Sequence, residues 1–523
     1  MRTITSHQLR RLWIDGSEVA LIDVREEGPY SEAHPLFVVS VPVSEIEEKL
    51  PFLVPRLSAP VIVYDDEEGY VERAVRRITA LGYSDVAILD GGLKEYARIG
   101  EVYQDVNVPS KAFGELVESI RHTPSLPARE VKDILDNRDD VVVVDARRFE
   151  EFNTMSIPGG RSCPGGELVY RIHDAAPSPD TLVIVNCAGR TRSIIGTQSL
   201  INAGIPNKVV ALRNGTIGWT LEGLEVDHER TAQVPRPSEE AQMQARQNAE
   251  RWAAHIGVPI IGRYELMQFH QEAERRSLYT LDVRAPDEYA AGHPTGFISA
   301  PGGQLVQATD EWVGVRGARI VLYDSDGVRA RMTASWLLQM GWEVYVLRYD
   351  AELPNLSAQT RSCTIELPQD AVIHVTALQD MKEACIVDLA RSPIYRKGHI
   401  PGAYFASGPE LARDLASAPG AGPIVLTSPT GLLAAANLTE ARRSTSREVY
   451  CLLGGTRAWT EAGLSLEMDG RFLSEPIDVY KRPYEGTDSA KANMQSYIDW
   501  ELQLVAQLAN DGISRFHVVR APE

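Results

Sequence analysis

The sequence predicts an α/β protein made of four tandem copies of one unit, each a parallel sheet with helices on both faces, followed by a helical C-terminal extension. Three observations predict it. A short apolar strand ending in aspartate recurs as ALIDVR (Asp23, Arg25), VVVVDAR (Asp145, Arg147), YTLDVR (Asp282, Arg284) and CIVDLAR (Asp388, Arg391). A second apolar strand follows each: VIVY delivers Asp65, VIVN delivers Cys187 and IVLY delivers Asp324 at one common offset from their aspartates, and IVLT delivers Ser428 two residues earlier. A helical stretch then leads to a third strand closed by a turn, in VAILDGG (Gly91, Gly92), VVALRNG (Asn214, Gly215), VYVLRYD and VYCLLGG (Gly454, Gly455). Self-similarity of this kind marks a repeated supersecondary unit, and strands alternating with helices build a parallel sheet covered on both faces.

The boundaries follow in chain order. Copy one occupies residues 1–105, and SKAFGELVESIRH after it reads as a connecting helix. Copy two occupies 124–232 and is followed by the Pro-rich break QVPRPSEE and a charged helical linker, Glu239 to Ala254. Copies three and four occupy 258–365 and 366–470. The tail, 471–523, is too short for a fifth copy. Its stretch Ala490 to Leu508 places Met494, Tyr497, Ile498, Leu502 and Leu504 or Val505 on one side of a helix expected to pack back on the domains.

Composition excludes several functions. With 44% hydrophobic and 24% charged residues the chain reads as an ordinary globular protein, and no apolar run approaches the ~20 residues of a membrane span. The N-terminus carries no apolar leader, so a cytoplasmic location is expected. A net charge of −19 argues against nucleic acid or an anionic membrane as partner, and any site for an anion must be locally positive. Five scattered cysteines (Cys163, Cys187, Cys363, Cys385, Cys451) form neither a disulfide framework nor a zinc motif, and no cofactor or metal is expected.

The chemistry concentrates in Thr181 to Ser193, TLVIVNCAGRTRS. The strand carries Cys187 to its end, Ala188, Gly189, Arg190, Thr191 and Arg192 make a short loop, and Ser193 opens a helix. A thiol at a helix N-terminus meets unpaired N–H groups and the positive end of the dipole, which lower its pKa and favour thiolate. Arg190 and Arg192 add two cations. The other three loops lack a sulfur, and Asp65 and Asp324 put carboxylates where the cradle wants an anion, so the same reaction is not expected there.

This loop, its strand and helix, and the repeated GHIPGA-like segment (Gly398 to Ala403) resemble the rhodanese family of sulfurtransferases, whose active loop starts at a cysteine and closes on an arginine five residues later. The loop here has Gly189 at its second position after Cys187, where the family often has glycine at the third. The resemblance implies that Cys187 takes a sulfane sulfur from an anionic donor, thiosulfate being the family's usual one, and passes it from a persulfide to cyanide or a thiol. Arg192 would hold the loop against an acidic neighbour. Arg190 would meet the donor anion or lie solvated, and Thr191 and Ser193 would donate hydroxyls to the persulfide, unless Ser193 only begins the helix. Backbone N–H groups of the loop would do most of the holding. Asp145 and Arg147 are read as supporting residues, since sulfane transfer needs no proton abstraction once thiolate exists. Trp219 is read as core, and Cys163 as either a resolving thiol or a buried side chain. The rival readings are a carrier fed by a sulfur-relay protein, a phosphatase or arsenate reductase, whose loop would be one residue longer, and a non-catalytic scaffold.

Overall fold

The computed structural model describes residues 1–349, 355–356, 365–482 and 489–520; Asp350 of the third turn and Cys363 lie outside them. Each copy has five parallel strands in the spatial order first, fifth, fourth, second, third. In copy two these are Ser125–Leu126, Val209–Leu212, Leu182–Asn186, Val141–Asp145 and Gly160–Ser162, with Val141 opposite Leu182 and Asp145 opposite Asn186. After the second strand the chain moves outward to one edge, and after the fourth it moves towards the other. The crevice at the carboxyl ends of those two strands is therefore the place where such sheets put their sites. Asp145 ends one and Cys187 follows the other.

β-Branched residues suit strands buried on both faces, and their alternation divides the core of copy two. Val142, Val144, Val183 and Val185 face one cluster with Leu168 and Leu200; Val143, Ile184, Val210, Leu212 and Trp219 face another. The first cluster also receives Ala245, Ala249 and Trp252 from the linker helix, Glu239–Ile256, and Val328 and Met332 from copy three. That helix starts at Ser238, whose Oγ accepts from Ala241 N, and ends on Gly257 at φ +78°. The connecting helix spans Val108–Arg121.

The chain divides into two compact units. One contains copy one without residues 10–18, copy four and the chain on to Lys481, and in it Val43–Glu45 packs on Gly408–Glu410. The other contains residues 10–18, copies two and three with the connecting helix and the linker, and the tail from Arg482, and there Gly165–Glu167 packs on Gly302–Gln307. At that second contact a Cβ on Gly166 would stand 2.6 Å from Gly303 N, so the two backbones meet without side chains between them.

The structure departs from the sequence reading in three places. The fourth sheet has a sixth strand, Arg471–Phe472, beyond the expected end of the copy at 470. The tail is two helices, Ala490–Glu501 and Leu504–Asp511, where one continuous helix to Leu508 was expected. The helix after the Cys187 loop begins at Thr191, two residues before Ser193.

Candidate active site

In three copies the aspartate that ends the second strand clamps an arginine two residues on. Asp23–Arg25, Asp145–Arg147 and Asp282–Arg284 pair at 2.6, 2.7 and 2.6 Å, and each arginine also donates to a carbonyl eight residues further on, at Ala33, Met155 or Gly292. The clamp ties the strand end to the following loop. Copy four carries one extra residue, DLAR, and Arg391 turns instead to Glu27 and the Asp478 carbonyl; burial then pushes Asp388 up to about 6. Asp145 also accepts from Asn186 Nδ2 at 2.8 Å, and Asn186 reaches Thr216 Oγ1. Both Asp145 oxygens are thus engaged by Arg147 and Asn186.

Cys187 is 1% exposed. Its thiol donates to Ser193 Oγ at 3.4 Å, and that hydroxyl donates to Arg190 O at 2.8 Å. The loop carbonyls are held from the other side by the turn after the fifth strand: Thr216 N donates to Cys187 O and Ile217 N to Ala188 O. Gly215, at φ +54°, makes this possible, because a Cβ there would lie 2.4 Å from Cys187 O and 2.7 Å from Gly189 O. Gly92 and Gly455 stand in the same relation to Asp65 O and Ser428 O.

Both loop arginines are locked to glutamates. Arg192 pairs with Glu151 at 2.7 and 2.9 Å, the acidic neighbour expected of it. Arg190 pairs bidentately with Glu115 at 2.7 and 2.8 Å and donates to Asn214 Oδ1 at 3.0 Å. Arg190, expected to meet the donor anion or to lie solvated, is instead held in an ion pair by Glu115 of the connecting helix. Thr191 is buried, and among the described residues its Oγ1 has no hydrogen-bond partner. Gly189 lies under the tail, where a Cβ would stand 3.3 Å from Glu501 Oε2.

The expected lowering of the Cys187 pKa is also corrected. Burial pushes the thiol up and outweighs the Arg192 charge and the two hydrogen bonds to Ser193, with Asp145 adding to the rise. Cys163 belongs to the core cluster with Val144, Leu168 and Val169, and burial pushes its thiol up strongly. Trp219 is fully buried and donates to Glu225 O. No group of residues that would hold a metal ion occurs among the described residues, and no helix there is long and apolar enough to cross a membrane.

The equivalent loops show what replaces the sulfur. In copy three the Asp324 carboxylate accepts from Gly327 N at 3.0 Å and Ala330 N at 2.9 Å, while Arg329 pairs with Glu288 as Arg192 pairs with Glu151. In copy one Asp65 accepts from Tyr70 N at 2.6 Å, and in copy four Ser428 Oγ accepts from Ala434 N at 3.4 Å. Each fills the cradle with a group of its own.

Glu115, Glu151, Asn186 and Glu501 escaped the sequence reading, which named Gly215 as part of a turn without its contact to the loop. Glu151 left a signal in the repeats. A glutamate six residues after the aspartate and an arginine five after the loop start occur together in copies two and three (Glu151 with Arg192, Glu288 with Arg329), while copy one has Pro29 and Tyr70 there.

The rhodanese-like domain family matches residues 5–99, 127–222, 265–351 and 374–462. A crystal structure of thiosulfate sulfurtransferase from Pseudomonas aeruginosa is similar over 99% of this chain and 100% of its own, at 49% identity and a TM-score of 0.96. A protein from Bacillus halodurans is 23% identical, covering 21% of this chain and 85% of its own, with a TM-score of 0.19. SseA from Escherichia coli, described with 3-mercaptopyruvate sulfotransferases, is 17% identical, covering 43% and 97%, with a TM-score of 0.21. No curated protein matched.

Proposed function

The chain belongs to the rhodanese family, and from that premise we propose that its second copy is a sulfurtransferase that moves sulfane sulfur from an anionic donor such as thiosulfate to a thiophilic acceptor through a persulfide on Cys187. One observation carries the reading: of four equivalent strand ends, one presents a sulfur, and the others present Asp65, Asp324 and Ser428. The likeness to the Pseudomonas aeruginosa thiosulfate sulfurtransferase supports thiosulfate as donor.

In the first half-reaction the Cys187 thiolate attacks the outer sulfur of thiosulfate. A bond forms between Sγ and that sulfur, the sulfur–sulfur bond of the donor breaks, and the electron pair leaves with sulfite. The persulfide anion then lies in the loop amides, with Ser193 and the Arg192 charge beside it. In the second, cyanide or a thiolate attacks the outer sulfur and the pair returns to Sγ, giving thiocyanate or a new persulfide. Two half-reactions through a covalent intermediate give ping-pong kinetics. Because burial pushes the thiol up, the loading rate climbs with pH through the neutral range. Arg192 and Thr191 act within the loop, Arg190 fixes it through Glu115, and Asp145 with Arg147 supports the strand end. A second reading of the same chemistry has a sulfur-relay protein feed the site; with Cys187 1% exposed, such a donor would have to move the loop or its cover to reach the sulfur.

The test is intact mass after incubation with thiosulfate, beside Cys187→Ser, followed by cyanide. A gain of one sulfur on the wild type alone, discharged as thiocyanate, is the expected result. No adduct from thiosulfate but one from a persulfidated protein supports the relay reading, and no adduct from either refutes both.

A further inference from the structure

The walls around the active loop are not all made by the repeated unit. The connecting helix brings Glu115 onto Arg190, and its Gly114 lies against Thr191, where a Cβ would stand 2.9 Å from Cγ2. The tail helix Ala490–Glu501 lies beside Gly215–Leu221, the helix whose first amides hold the loop carbonyls. Lys111 of the connecting helix sits over the rings of Tyr497 and Trp500, at 5.3 and 5.6 Å, and so ties the tail helix in place. The last residue of that helix is Glu501. The residue is 2% exposed, and its two carboxylate oxygens lie 3.3 and 3.9 Å from where a Cβ on Gly189 would be. It also adds to the negative field felt by Arg190. A buried carboxylate thus rests on a loop whose purpose is to hold an anion, two residues from Cys187.

We propose that Glu501 is a specificity-setting residue of this site: a resident negative charge over the loop that an incoming anion must oppose, so that the tail discriminates against highly charged sulfur donors in favour of less charged ones. This rests on the sulfurtransferase reading for its consequence but not for its test. The chemistry is charge repulsion at close range in a poorly solvated place, where each additional negative charge on the ligand is opposed separately. A dianion such as thiosulfate is opposed more than a monoanionic thiosulfonate, and a neutral reagent not at all.

The experiment is alkylation of Cys187 in the full chain by iodoacetate and by iodoacetamide, followed by mass, with Cys187→Ser as the control. The two reagents differ in charge far more than in size. In Glu501→Gln the ratio of iodoacetate to iodoacetamide rates should rise about threefold or more, whereas Glu501→Asp, which keeps the charge, should hold the wild-type ratio. In the same variants KM for thiosulfate should fall in Glu501→Gln by more than KM for methanethiosulfonate, with kcat unchanged. An unchanged ratio in a folded Glu501→Gln overturns the inference. Should that variant not fold, Glu501→Ala, which also removes the charge, is read by the same ratio, and an unchanged ratio in it overturns the inference. Failure of both thiosulfate and a persulfidated protein to load the wild type would overturn the sulfurtransferase reading, and the alkylation ratio would still decide the role of Glu501.

Discussion

Replacing Glu151 by glutamine should weaken the fold and sharpen the nucleophile together. Burial alone would raise the Glu151 carboxyl, but the Arg192 hydrogen bonds and charge, with Arg147 and the Arg148 amide, hold it down to about 2 from an ordinary 4.5. At about 1.4 kcal/mol per pKa unit this is a ceiling near 3 kcal/mol, and because the side chain is 27% exposed, solvent screening reduces it to about 2 kcal/mol. The sign follows from linkage. A carboxyl depressed in the folded state contributes its full stability above the unfolded value of 4.5 and loses it as the pH falls towards 2. The variant should therefore lose about 2 kcal/mol in urea unfolding at neutral pH, and the gap to wild type should close as the pH is lowered through that window. The same change removes an anion from beside Arg192, whose charge already draws the Cys187 pKa down. Iodoacetamide should consequently alkylate Cys187 faster at a fixed pH. A variant that loses stability and also alkylates more slowly would refute the reasoning, because the loop would then have been displaced and not repolarised.

Two further outcomes follow from the geometry. Gly215→Ala places a Cβ 2.4 Å from Cys187 O at a positive φ, so it should cost on the order of 2 kcal/mol and reduce sulfur loading, as read by unfolding and intact mass; wild-type loading in this variant would mean the turn does not hold the loop. Glu26, buried in the unit of copies one and four, is pushed up to about 8, by burial first and then by Glu45 and Asp478. Its raised pKa makes wild-type stability fall as the pH rises from about 4.5 to 8. Glu26→Gln should match wild type below that window and exceed it by at least about 1 kcal/mol at pH 9, with equal unfolding midpoints at both ends counting against the assignment.

The repeats made the fold legible because a buried parallel strand leaves an apolar signature that survives divergence. Asp23, Asp145 and Asp282 mark the same strand end in sequence and in space, and the offset to Asp65, Cys187 and Asp324 found the central strand. Asp388 matched by pattern, yet the single extra residue before Arg391 broke the clamp, a difference of reach that pattern alone does not weigh. Cys187 was legible as the nucleophile candidate for the same reason that its environment was not: local sequence shows the helix N-terminus and the arginines, but not how completely the site is buried. The partners of those arginines come from elsewhere in the chain. Glu115 lies on a helix outside the copies and Glu501 in the tail, and no local spacing points to either; Glu151 alone could have been found, by comparing copies with each other.

The position of Glu501 has a consequence in time. The residue that covers Gly189 is translated 314 residues after Cys187 (501 − 187). At ordinary elongation rates of about 5–20 residues per second copy two waits on the order of half a minute on the ribosome before its cover exists. During that interval copy two is a nascent domain with its loop exposed on the tail side. Synthesis of the later copies therefore separates the making of the thiol from the closing of its site.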